Sequence, residues 1–133
     1  KNLNWVNPLF KGDPLQEILI INKVKKALEQ INDKEIMLIT HYQFLDSITK
    51  KNLNYPNRTF TIDGASMPLK QNRYYEYYKD FLKNKISKKK IEEVYFLKHE
   101  NLSLKVITEY IDDKCYVKSE NDIFYIFKLK CLN

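Results

Sequence analysis

Apolar residues at Leu15, Ile18, Ile21, Val24, Leu28 and Ile31 recur every three or four positions, the spacing that gathers side chains on one helical face. Asp13-Pro14-Leu15-Gln16 opens this stretch with a capping carboxylate, a proline suited to the first turn, and a Gln three residues on. The pattern predicts a helix over 14–31, stopped by Asn32-Asp33. The period then shortens. Residues 35–40, EIMLIT, form a β-rich run that reads as a buried strand. Phe44, Leu45 and Ile48 suggest a short helix, and residues 50–57 a polar loop. RTFTID, residues 58–63, alternates as far as Asp63-Gly64 and reads as a second strand with a turn behind it.

Four of the five positions from Tyr74 to Tyr78 are tyrosine. Asn72 is placed to cap a helix here, with Tyr74, Tyr78, Phe81, Leu82 and Ile86 on one face. Tyr74 and Tyr78 therefore read as core-facing, with hydroxyls reaching the rim, and Tyr75 and Tyr77 as free to meet a partner. After a lysine turn at 88–90, residues 91–97 (IEEVYFL) read as a third strand. Asn101 caps a helix over 102–111 with Leu104, Ile107 and Ile111 on one side. Residues 115–118 and 123–131 read as a hairpin about the turn SEND. This alternation predicts an α/β sandwich. Its mainly parallel, Rossmann-like sheet has three strands (35–40, 58–63, 91–97) and a C-terminal antiparallel hairpin. Residues 1–133 form a single soluble domain, with 1–12 as a lead-in segment.

Composition changes the picture in two ways. Hydrophobic residues at 44% and charged residues at 30% belong to a soluble globular chain, and no apolar run approaches a membrane span. The surplus of Lys, Asn, Ile and Tyr matches A/T-rich codons, so much of the +6 net charge reflects codon usage. Arg occurs only twice, which argues against nucleic acid as a partner, because Arg is the preferred fork for phosphate and guanine edges. A start at Lys1 without Met suggests a piece excised from a longer protein.

Ligands of open α/β sheets sit beyond the carboxyl ends of the strands. That rule gathers His41, Tyr42, Asp63, Ser66, Tyr75 and His99 on one expected rim, a candidate ligand site. Two histidines also fall near strand ends by chance in many such chains, and no motif binds these positions together. With two glycines, a phosphate-cradling loop is nearly excluded. No GxGxxG, Walker or GxSxG motif is present. His41, His99, Cys115 and Cys131 match no zinc-finger spacing, so no metal and no cofactor are expected. Two cysteines fit either one bridge in an extracytoplasmic compartment or two buried thiols in the cytosol.

One stretch carries a resemblance. "LITHYQFLDSI", a Pro-Asn-Arg turn, "DGASMPL", "NRYYEYYKDFL" and "IEEVYFLK" together resemble a soluble C-terminal region of uncharacterised bacterial polytopic membrane proteins. Those proteins are similar to C-type glycosyltransferases, the multi-spanning kind that use lipid-phosphate sugars. The resemblance implies a non-catalytic accessory domain on the extracytoplasmic, periplasmic face, part of a membrane-anchored parent and contacting either an acceptor glycan or the parent's own transmembrane part. No position matches the catalytic acidic loop of such enzymes, so no catalytic residue is carried over. The implied compartment favours a Cys115–Cys131 bridge. A tight turn at 119–122 would set Cys115 opposite Ile126, so the bridge would require residues 115–122 to leave the ladder. The alternative is a self-standing cytosolic α/β protein that binds a nucleotide or nucleic acid at the strand-end rim.

Overall fold

The computed structural model describes residues 7, 10–58 and 66–131. The chain falls into two compact units, residues 1–32 and 33–133. The first unit contains α1 (Pro14–Glu29), whose N-cap Asp13 accepts the Gln16 backbone N–H at 3.3 Å. Only the C-terminal half of the expected stripe is buried, at Val24 and Leu28, whereas Leu15 is 71% exposed and Ile18 and Leu19 are also exposed. Most of the lead-in lies outside the described residues.

The second unit is built on one four-stranded sheet in the order β1-β2-β4-β3, comprising β1 (Ile36–Ile39), β2 (Glu93–Leu97), β3 (Tyr116–Glu120) and β4 (Phe124–Leu129). The expected mainly parallel, Rossmann-like sheet is not what forms. Among the described residues only β1 and β2 run parallel, while β4 enters antiparallel beside β2 and carries β3 to the far edge. The reason lies in side chains that the local pattern does not pair. Val94 faces Phe127 across the β2–β4 ladder, and Phe96 meets Phe127 edge to face at 5.8 Å. The hairpin thereby buries Phe124 and Phe127 within the sheet instead of trailing from it. The expected strand at 58–63 falls outside the described residues from 59 onward.

Period-two alternation sorts the strands into two faces. Met37, Ile39, Val94, Phe96 and Phe127 share one core with Leu82, Ile86, Val106 and Ile107. The first two helical residues come from α3 (Tyr75–Lys89), and the last two from the four-residue α4 (Lys105–Thr108). The longer helix expected over 102–111 is therefore reduced to about one turn. Asn101, expected as its cap, instead closes a 3₁₀ turn (Lys98–Glu100) in left-handed conformation at φ 51°. The short α2 (Leu45–Thr49) buries Leu45 and Thr49 and leaves Phe44 and Ile48 exposed.

The tyrosine helix turns by one position from its expected face. Tyr75, Leu82 and Ile86 are buried and Tyr78 is half-buried, while Tyr74 is 53% and Tyr77 78% exposed. Both stripes are consistent with helical spacing, since each shares Tyr78, Leu82 and Ile86. Tyr110 selects between them by stacking on Tyr75 at 5.1 Å, and Tyr74 is left as the helix N-cap beneath the Arg73 guanidinium.

The hairpin register also differs. Asn121 closes the turn, its Oδ1 accepting the N–H groups of Ile123 at 2.9 Å and Phe124 at 2.8 Å. Moving the turn toward residues 121–123 brings Tyr116 opposite Leu129, and the Lys130 N–H reaches the Cys115 carbonyl at 2.8 Å. Cys115 and Cys131 are joined as a disulfide across a Cα separation of 4.9 Å. The ladder does not need to open for it. Among the described residues, no helix is long and apolar enough to cross a membrane.

Candidate functional site

The carboxyl ends of β1 and β2 bring His41, Tyr42 and His99 together. The Tyr42 ring lies 4.1 Å from His41 and 5.5 Å from His99, centroid to centroid. Glu100 organises the group from below. Its side chain is fully buried, and Oε1 accepts the Thr40 hydroxyl at 2.6 Å and the His41 backbone N–H at 3.2 Å. The His41 Nδ1 lies 2.6 Å from the same oxygen, although off the axis of a linear hydrogen bond. Thr40 in turn accepts the Tyr42 N–H at 3.0 Å, so its hydroxyl is used in both directions. This is a buried polar network that ties the end of β1 to the 3₁₀ turn after β2. Among the described residues there is no group of three or more His, Cys, Asp or Glu side chains able to hold a metal ion.

Of the other expected rim residues, Ser66 and Tyr75 are placed elsewhere. Asp63 lies outside the described residues. The Ser66 carbonyl accepts the Asn57 amide at 2.5 Å. Tyr75 lines a cavity of about 570 Å³ between α3 and the segment running from Thr108 to Cys115. Its hydroxyl donates to the Glu109 carbonyl, and the Tyr110 hydroxyl donates to that of Pro68. Burial, and then the neighbouring Tyr78 and Tyr75, push the Tyr110 phenol above its ordinary range. Charges around this cavity balance, with Lys70, Lys79 and Lys83 against Glu76, Glu109 and Asp112. The backbone N–H of Lys114 holds the Asp112 carboxyl below its usual value.

A second cavity, of about 660 Å³, lies where residues 52–58 run along the β1 edge. Its wall is built by asparagines. Asn54 adopts φ 49°, a left-handed conformation that Asn tolerates better than most residues, and its amide donates to the Ile36 carbonyl at 2.8 Å. The Leu38 N–H donates to the Leu53 carbonyl at 2.9 Å, which covers the open edge of the sheet. Asn57 bridges outward, accepting the Tyr78 hydroxyl at 2.8 Å. From α3, Lys85 reaches across to donate to the carbonyls of Tyr55 and Pro56. Burial, and then the charge on Lys89, lower the Lys85 ammonium's pKa. Burial also raises the phenols of Tyr55 and Tyr78 to about 12. Among the described residues, its charged lining is mainly cationic, with Arg58, Lys85 and Lys89 against the carboxylate of Asp46.

Sequence reasoning passed over this second cavity. Asn52, Asn54 and Asn57 read as an ordinary polar loop in an Asn-rich chain, and Lys85 and Lys89 as a solvated helix face. The only signal available was the i,i+4 spacing of the two lysines, which is common on exposed helices. No family model, curated protein or solved structure matches the chain.

Proposed function

We propose that the chain is a non-catalytic accessory module on the extracytoplasmic face of a bacterial membrane. In this reading it belongs to a membrane-anchored protein similar to C-type glycosyltransferases, and it contacts an acceptor glycan and the parent's transmembrane part. The observation that carries the reading is the Cys115–Cys131 bridge at the base of the hairpin, since such bridges persist in oxidising compartments and are rare in the cytosol. The cavity beside the β1 edge supports the glycan contact. It is polar and holds amides, a tyrosine and the half-exposed Phe81, the mixture that grips sugar hydroxyls and the apolar faces of sugar rings. The histidine rim serves structure in this reading, because its buried carboxylate is engaged by Thr40 and the His41 backbone.

The test is alkylation of thiols in intact cells that make the parent protein, followed by unfolding without reductant and mass spectrometry of the fragment. The expected result is no alkylated cysteine. Two alkylated thiols would overturn the reading and leave the cytosolic alternative, a protein that binds a nucleotide or nucleic acid at the strand-end rim.

A further inference from the structure

We propose that the cavity beside the β1 edge takes an acidic saccharide, a sugar ring carrying a phosphate or a carboxylate. The proposal rests on the glycan reading and gives it a chemical class. Among the described residues, three cations line the cavity against one carboxylate. That carboxylate, Asp46, already accepts the Ser47 backbone N–H at 2.7 Å through Oδ1. Among the described residues, no carboxylate lies within ion-pair distance of Arg58, Lys85 or Lys89. Lys85 and Lys89 sit one turn apart on α3, where like charges repel unless an anion lies between them.

The geometry orients one of these cations. Lys85 spends two of its three N–H donors on the Tyr55 and Pro56 carbonyls, which hold the ammonium over the cavity and leave one donor for a ligand. Arg58 adds a planar fork suited to two oxygens of one oxyanion. The ring of Phe81 and the loop amides supply the walls against which a sugar ring would lie. A volume of about 660 Å³ is in the range of small-ligand sites. The α3–α4 cavity is the internal comparison. With three cations and three acids in its lining, it has no preference for an anion.

The experiment titrates the 133-residue chain, at low ionic strength, with glucuronic acid, glucose 6-phosphate, glucose and inorganic phosphate. Binding is followed by calorimetry and by amide and side-chain NMR shifts. Glucuronic acid or glucose 6-phosphate is expected to bind at least about tenfold more tightly than glucose, the ratio for one charge-assisted contact. The shifts should centre on Arg58, Lys85 and Lys89, and the tighter of the two acidic sugars identifies the oxyanion. Lys89→Gln, at an exposed position, and Arg58→Gln are each expected to remove most of that preference while leaving the thermal midpoint in place. Equal binding of glucose and the acidic sugars would overturn the acidic class and leave the glycan reading standing. Inorganic phosphate matching glucose 6-phosphate would overturn the saccharide. Shifts confined to other residues, or no binding by any of the four probes, would overturn the site.

Discussion

Glu100 shows how one side chain can govern a strand end. Its carboxylate is buried and receives the Thr40 hydroxyl and the His41 N–H, so removing it strands two donors away from water. Glu100→Ala is expected to cost about 3 kcal/mol, the scale for a buried charged acceptor with its donors left unmet. Urea unfolding checks this, and a loss below about 0.5 kcal/mol, the scale of surface substitutions, would mean that the network is not structural. The buried phenols offer a second test. The folded state holds Tyr78 at about 12 against an ordinary 10.0, chiefly by burial. A folded pKa above the unfolded one means that the native state keeps the proton longer. Its contribution to stability is therefore complete below pH 10 and is lost as pH rises toward 12. Ultraviolet titration of the folded chain should show late-ionising tyrosines, and Tyr78→Phe should remove one of them.

At the scale of elements, helix ends decide much of the architecture. α3 closes at Lys90, which takes φ 53° while its N–H reaches the Ile86 and Ser87 carbonyls, and the Ile91 N–H returns to Ile86 at 3.0 Å. This left-handed position is normally given to glycine, but the chain has only two glycines and uses lysine here. Lys90→Gly is expected to stabilise the protein by about 1 kcal/mol, the approximate cost of a Cβ in that conformation. A drop in the denaturation midpoint would show that the Lys90 side chain has a use of its own. The sharp stop also has a structural consequence, since it turns the chain directly from α3 into residues 91–92 and the buried strand β2. There the Glu92 N–H pairs with the Glu35 carbonyl at 2.9 Å and starts the parallel β1–β2 ladder.

For the whole molecule, the mixed sheet and the bridge bear on function together. With β4 between β2 and β3, the hairpin is part of the core-bearing sheet, and Cys115 and Cys131 tie its open end. In the proposed accessory-module reading, the Glu100 network at the histidine rim serves structure and the cavity beside the β1 edge serves binding. The 133-residue chain alone is therefore expected to transfer no sugar from a lipid-linked donor. Labelled product above the level of a heat-killed sample would refute that.

Helical and strand periods are properties of neighbouring residues, and they determined the elements that depend only on neighbours. The start of α1 at Asp13-Pro14 and the strands within 35–40 and 91–97 were legible for that reason. So was the hairpin, as was the meeting of His41, Tyr42 and His99 at the ends of two strands. Strand order was not legible. A hairpin contiguous in sequence can join either edge of a sheet or none, and the Phe127 contacts with Val94 and Phe96 that place it span about thirty residues. The buried face of α3 was decided the same way, by Tyr110 stacking on Tyr75, because one-residue rotations of a tyrosine run look alike locally. The turn position, and with it the proximity of Cys115 and Cys131, followed from the register that buries Phe124 and Phe127. The cation-lined cavity joins a loop to a helix that meet only in the folded chain, so tertiary structure alone brings Arg58 to Lys85 and Lys89.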